Sequence, residues 1–187
     1  MTDTSIKTAP FQISDAVALL RRTPAALDAL LRGLPDLWVR GTEGGETWSA
    51  YDIVAHLIYT DHESWLPRFR RILEHGEQVP FQPFDRGGHK ARLRGQSLDE
   101  LLDEFTQTRA QSLAALEALR LSPTDLERCG LHPRLGSLTL GSVLAAWPVH
   151  DLNHLHQLSR VMARQYAEPV GPWNAFMGVL NCDAHGA

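Results

Sequence analysis

"WPVHDLNHLHQLSRVMARQY", residues 147–166, carries three histidines within seven residues. Thr139 precedes it as a helix cap, and the apolar stripe runs from Val143 and Leu144 through Trp147 to Leu158 and Val161. The stretch therefore reads as part of one long amphipathic helix over residues 140–166. His150, Asp151 and His154 interrupt that apolar stripe, whereas His156 projects from another side. Residues four apart on a helix share a face, with Cβ atoms about 5–6 Å apart, so His150 and His154 can aim ring nitrogens at one point. A buried imidazole needs partners for both nitrogens. Spacing alone leaves two readings open: core histidines bonded to polar neighbours or water, or two jaws of a metal site.

Working outward, three more amphipathic segments appear. From Ile13, apolar residues recur at Ala16, Leu19, Leu20, Leu27, Leu30, Leu31 and Leu34. Pro24 either kinks that helix or opens a second one, with Thr23 as its cap. Ser49 and Asp52 form a capping box for a helix running through Ile53, Leu57, Asp61, Trp65, Phe69 and Ile72 to a stop near Gly76. Ser97 and Glu100 form another, ahead of Leu101, Leu102, Phe105, Leu113, Leu116 and Leu119. Residues 41–47, 78–90 and 121–137 read as loops, the last with one helical turn after Ser122 and Pro123. "EPVGPWNAFMGVL", 168–180, suggests a turn and a short final helix. No segment shows convincing strand alternation. The expected fold class is all-α, a four-helix bundle with short extra turns: a flexible tail over 1–12, then one domain over 13–187.

Composition narrows the function. The 187 residues can bury a sizeable core without staples. The formal charge of −4, from 18 basic and 22 acidic residues, opposes nucleic-acid binding. The one dense basic group, Arg68, Arg70 and Arg71, reads as a solvated helix face. Cys129 and Cys182 belong to no CxxC pair, which suits a reducing cytoplasm. "MTDTSIKTAPFQIS" has no apolar core of a signal peptide, and no apolar run approaches the roughly 20 residues of a membrane helix.

A zinc-like site needs a third protein ligand. His56, beside Ile53 and Leu57, is the best placed. His62 lies between Asp61 and Glu63 and reads as a surface residue, and His75, His89, His132 and His185 fall in loops or ends and read as solvated. "HDLNH" is also similar to the zincin H-E-x-x-H motif, but Asp151 is one methylene shorter than the glutamate base and the strand-rich half of such proteases is missing. Asp151, Gln157, Asp52 and Thr60 each lie within a turn of a candidate ligand and could hold a ring N–H. Catalytic candidates are Asp151, Glu63 as a base, and Arg109 as a partner for an anionic substrate group. Trp48, Trp147 and Trp173 read as core. Pro148 crowds the carbonyl of Leu144, a bend that packing is expected to absorb.

"WSAYDIVAHL", followed some ninety residues later by "WPVHDLNHLHQLSRVMARQY", resembles the DinB-like (YfiT-like) superfamily of metal-dependent enzymes. The resemblance also takes in "ESWLPRFRRILEHG", the pair Phe105 and Arg109, and "VGPW" near the C-terminus. It implies a four-helix bundle with an unusual connection, and a divalent ion such as Zn²⁺ or Ni²⁺ held by His56, His150 and His154. Relatives include transferases and isomerases that use low-molecular-weight thiols, and homodimers are common among them. Three neutral imidazoles leave the ion its full charge, which lowers the pKa of a bound water or thiol. The expected function is thus a metal-dependent thiol S-transferase or hydrolase acting on a small molecule, with no protein cysteine required. The alternative is a non-catalytic metal-binding or small-molecule-binding bundle.

Overall fold

The computed structural model describes residues 10–92 and 95–182, apart from the side chains of 91 and 92. Residues 1–9 of the expected tail, and His185, lie outside the described residues, while Pro10 to Gln12 are irregular and exposed. The helices are α1 (Ile13–Leu20), α2 (Thr23–Leu31), α3 (Asp36–Arg40), α4 (Ala50–Glu63), α5 (Trp65–His75), α6 (Gly88–Arg92), α7 (Leu98–Ala118), α8 (Pro123–Leu126), α9 (Leu140–Arg164) and α10 (Gly178–Asn181), with a 3₁₀ turn over Gly171–Phe176 before the last.

Local chemistry sets most of these boundaries. Ser49 and Asp52, Ser97 and Glu100, and Ser122 and Asp125 each close a reciprocal capping box, and the Thr139 hydroxyl accepts from the Ser142 amide at the start of α9. The helix expected from Ser49 to Gly76 is two. It breaks at Ser64 because Pro67 has no N–H for the carbonyl of Glu63 and its ring crowds that oxygen. Gly76 ends α5 with φ of 58°, a conformation that glycine adopts without strain. Near the N-terminus α1 and α2 are also separate, and Thr23 does not cap α2. Its hydroxyl points inward and donates to Asp151. Pro148 is buried inside a continuous α9.

α4 packs on both α7 and α9, α1 lies against α9, α2 against α7, and α5 against α9. The bundle is therefore a ring of four members: α1 with α2, then α9, then α4 with α5, then α7. One apolar cluster joins α2, α4, α7 and the distal half of α9; a second joins α1, α5, α7 and the proximal half of α9. Between them the α9 stripe carries Asp151 and His154.

One element lay outside the helical reading. Residues 121–137 contain strand β1 (Cys129–His132), paired antiparallel with β2 (Gly136–Thr139). Its turn is held by His132, whose Nδ1 accepts from the amides of Arg134 and Leu135. Gly130 is required there, because a Cβ would lie 2.6 Å from Ile72 and 2.9 Å from the Phe81 ring. The hairpin is too short for alternation to show in sequence. No helix among the described residues is long and apolar enough to cross a membrane.

Candidate metal centre

Two helices present the site. His56 occupies the middle of α4, and His150 and His154 lie one turn apart on α9, which packs against α4. The Nε2 atoms of His56 and His150 are 3.3 Å apart, and those of His150 and His154 are 3.1 Å apart. One ligand nitrogen from each ring lies within 4.8 Å of the others. His56 and His154 are buried and His150 is half-buried.

Burial keeps all three rings neutral at neutral pH. It lowers the His56 pKa to about 2 and the His150 pKa to about 3, with the neighbouring histidines adding to the effect. His154 is lowered by burial too, partly offset by Gln157. Gln157 Oε1 lies 2.8 Å from His154 Nδ1, so that nitrogen carries the proton and Nε2 is left as a lone pair. The Nδ1 atoms of His56 and His150 are buried without a partner.

A proton count tests whether these residues suit a cation. A neutral ring has one N–H. If His150 Nε2 donates to His154, it cannot accept from His56; if it accepts from His56, two lone pairs face each other at His154. Only one of the two close contacts can be a hydrogen bond. A cation between the rings takes all three lone pairs at once. Nitrogens about 2.0–2.1 Å from a tetrahedral ion lie about 3.3–3.4 Å apart, close to the distances found here. The donor set fits a divalent transition ion, and three imidazoles leave a position for another molecule.

The other candidates fall elsewhere. Asp151 adjoins His150 in sequence but turns away from the histidines. Its oxygens accept from the Thr23 hydroxyl at 2.6 Å and from Arg109 at 2.5 and 3.1 Å. Arg109, read from sequence as a partner for an anionic substrate group, is buried. It also donates to Asp61 at 2.7 and 3.1 Å and to the carbonyl of Leu20 at 3.0 Å, and Asp61 accepts from Trp147 Nε1 at 3.2 Å. Burial, with a second carboxylate on the same guanidinium, pushes Asp61 up to about 6 against the pull of Arg109. The sequence signal for this cluster was Asp61 itself, a charge on an apolar stripe. Glu63 is exposed beside Tyr59 and Pro67, outside the histidine pocket. Asp52 is committed to the capping box, and Thr60 donates to the carbonyl of Leu57. Gln157 alone of the orienting candidates meets a site histidine.

Sequence reading missed three neighbours. His89 is buried, not solvated, and packs against Trp48 and His56 with ring centroids 4.9 and 5.6 Å away. No periodicity marks it, because α6 is a single short turn after a Pro/Gly-rich stretch. Trp48 faces both His56 and His154, while Trp173 is exposed. Arg68 is half-buried rather than on a solvated face. The histidines open onto a pocket of about 220 Å³ with Trp48, Trp65 and Phe84 among its walls.

The sequence profile of the DinB superfamily matches residues 19–158. The chain belongs to the DinB superfamily. Its fold is shared with the solved structure of YfiT from Bacillus subtilis, described as "a probable metal-dependent hydrolase with an unusual four-helix bundle topology". The TM-score is 0.68 at 19% sequence identity, over 87% of this chain and 92% of that one. At that identity the likeness is one of fold. No curated protein matches the chain. In this DinB superfamily member, both α4 and most of α9, which supply all three histidines, lie within the matched span.

Proposed function

We propose that this DinB superfamily protein is a divalent-metal enzyme of hydrolase or thiol S-transferase type, with His56, His150 and His154 as the ligands. The observation that carries the reading is the convergence of three neutral Nε2 atoms at the pocket, where no arrangement of ring protons satisfies both contacts. A divalent ion there supplies Lewis-acid charge that brings the pKa of a bound water or low-molecular-weight thiol towards neutrality. The protein's part is to orient and exclude. Gln157 fixes the tautomer and ring plane of His154. Trp48 stacks over His154 at 6.0 Å between centroids and screens it from water. The Asp61–Arg109–Asp151 cluster locks α4 and α9 together and so sets the spacing of His56 from the other two rings. The description of YfiT favours hydrolysis; the thiol alternative rests on the family resemblance.

The test is metal content by elemental analysis on protein purified without an affinity tag. About one equivalent per chain is expected in the wild type and almost none in His154→Ala. No metal in either, even after adding Zn²⁺ or Ni²⁺, would sink the reading. With metal established, turnover of a chromogenic ester, against alkylation of an added thiol by a chromogenic electrophile, separates hydrolase from transferase. Neither activity would leave a metal-binding bundle.

A further inference from the structure

Arg68 lines the pocket over the histidines, and no aspartate or glutamate does, in a chain whose formal charge is −4. Arg68 stands apart from the paired arginines. Arg21, Arg32, Arg109, Arg128 and Arg160 each meet a carboxylate. Among the described residues, the Arg68 guanidinium makes no ion pair and no hydrogen bond, and its one contact of note is the Phe81 ring at 5.7 Å. It is nonetheless half-buried, and burial pulls its pKa below the ordinary value with no carboxylate to raise it. Its charge reaches the site, where it helps to depress His150. Holding a guanidinium partly out of water with no acceptor is costly, and arginine's planar fork fits a carboxylate with two parallel bonds.

Trp65 also lines the pocket, but its indole N–H is buried with no accessible surface and is not a donor at the wall. One unanswered guanidinium and no acid make this a surface complementary to an anionic oxygen group, while Trp48, Trp65 and Phe84 offer flat apolar walls.

We propose that Arg68 is the substrate-recognising residue of this site, and that the molecule taken is a small organic acid, its apolar or aromatic body between the aromatic walls and its carboxylate on the Arg68 guanidinium. This rests on the metal-site reading in so far as the acid lies over the three imidazoles; the role of Arg68 itself is measurable apart from metal. Arg109, the arginine that the sequence singles out, cannot serve, because all five of its N–H donors are already taken.

The experiment is calorimetric titration of the purified protein with phenylacetate, its neutral counterpart phenylacetamide, and phenyl phosphate, with metal content measured on the same samples. The wild type should bind phenylacetate with Kd of about 1 mM or tighter, and phenylacetamide at least about tenfold more weakly. Arg68→Met should abolish that difference while keeping the wild-type metal content, and Arg68→Lys should retain part of it. Equal binding of acid and amide, no binding of the acid, or a preference that survives in Arg68→Met overturns the proposal; the last would mean that something else holds the anion. Tighter binding of phenyl phosphate than of phenylacetate overturns the choice of a carboxylate. Metal present without acid preference removes Arg68 alone. Acid preference that depends on Arg68, in protein that takes up no metal, removes the metal reading alone.

Discussion

Two polar clusters are buried between α4 and α9, less than two turns apart along each helix, and they are built on opposite terms. In the first, Arg109 spends every donor on Asp61, Asp151 and a backbone carbonyl, and the carboxylates take further bonds from Trp147 and Thr23. In the second, three histidines crowd their nitrogens together, two Nδ1 atoms have no partner, and only Gln157 answers His154. The first is closed and uses side chains from α2, α4, α7 and α9. The second is open to a pocket. Burial of polar groups by itself is therefore no sign of a functional site; incomplete satisfaction beside a pocket is the more telling sign.

The comparison breaks most sharply at Arg109. Arg109→Met leaves two buried carboxylates with no cation, and denaturant unfolding should show a loss of about 3–5 kcal/mol. A loss under about 1 kcal/mol would mean that the cluster is not a keystone of the fold. The opposite behaviour is expected at His56. His56→Ala should weaken Zn²⁺ binding by more than about a hundredfold, beyond what loss of a supporting residue does, yet leave the metal-free protein near wild-type stability. If the metal-free variant unfolds as readily as Arg109→Met, the two clusters do not differ in kind.

A smaller effect is expected from Gln157→Leu. It should lower metal affinity by about 10–100-fold without changing metal content at saturation, read by competition with a chelator. Unchanged affinity would show that Gln157 does not orient His154.

The smallest effect is one of pH, in metal-free protein. His56 has a folded pKa of about 2, below the ordinary 6.5, so the unfolded chain takes up its proton first as pH falls. Its contribution is fully present above pH 6.5 and is lost progressively below it. Asp61, raised to about 6, contributes with the opposite sign, its share being lost as pH rises towards that value. That share is common to both proteins and cancels in the difference. His56→Ala should therefore gain stability relative to wild type as pH falls from about 7 to 5; a constant difference would mean that His56 is not held neutral by burial.

Much of this was legible in the sequence because it is local. The capping residues Ser49, Ser97 and Thr139 mark helix starts through bonds made within a single turn. The H-x-x-x-H spacing places two imidazoles on one face by helix geometry alone. The hairpin over Cys129–Thr139 was hidden because its short strands are fixed by packing on α5 and by Gly130 rather than by alternation. The break at Ser64 was written in Pro67 and overridden by an apolar stripe that runs on through it.

By itself, then, the sequence determined a mostly helical bundle of amphipathic segments and paired His150 with His154, since period and capping act between near neighbours along the chain. Only the tertiary structure decided that Asp151 and Arg109 belong to the scaffold, that His89 is buried, and that Arg68 faces the pocket. Those assignments depend on which distant side chain arrives opposite: Thr23 lies 128 residues from Asp151 and Asp61 lies 48 from Arg109. A polar side chain on an apolar stripe shows that a partner is required, and the packing of helices far apart in sequence chooses which partner it meets.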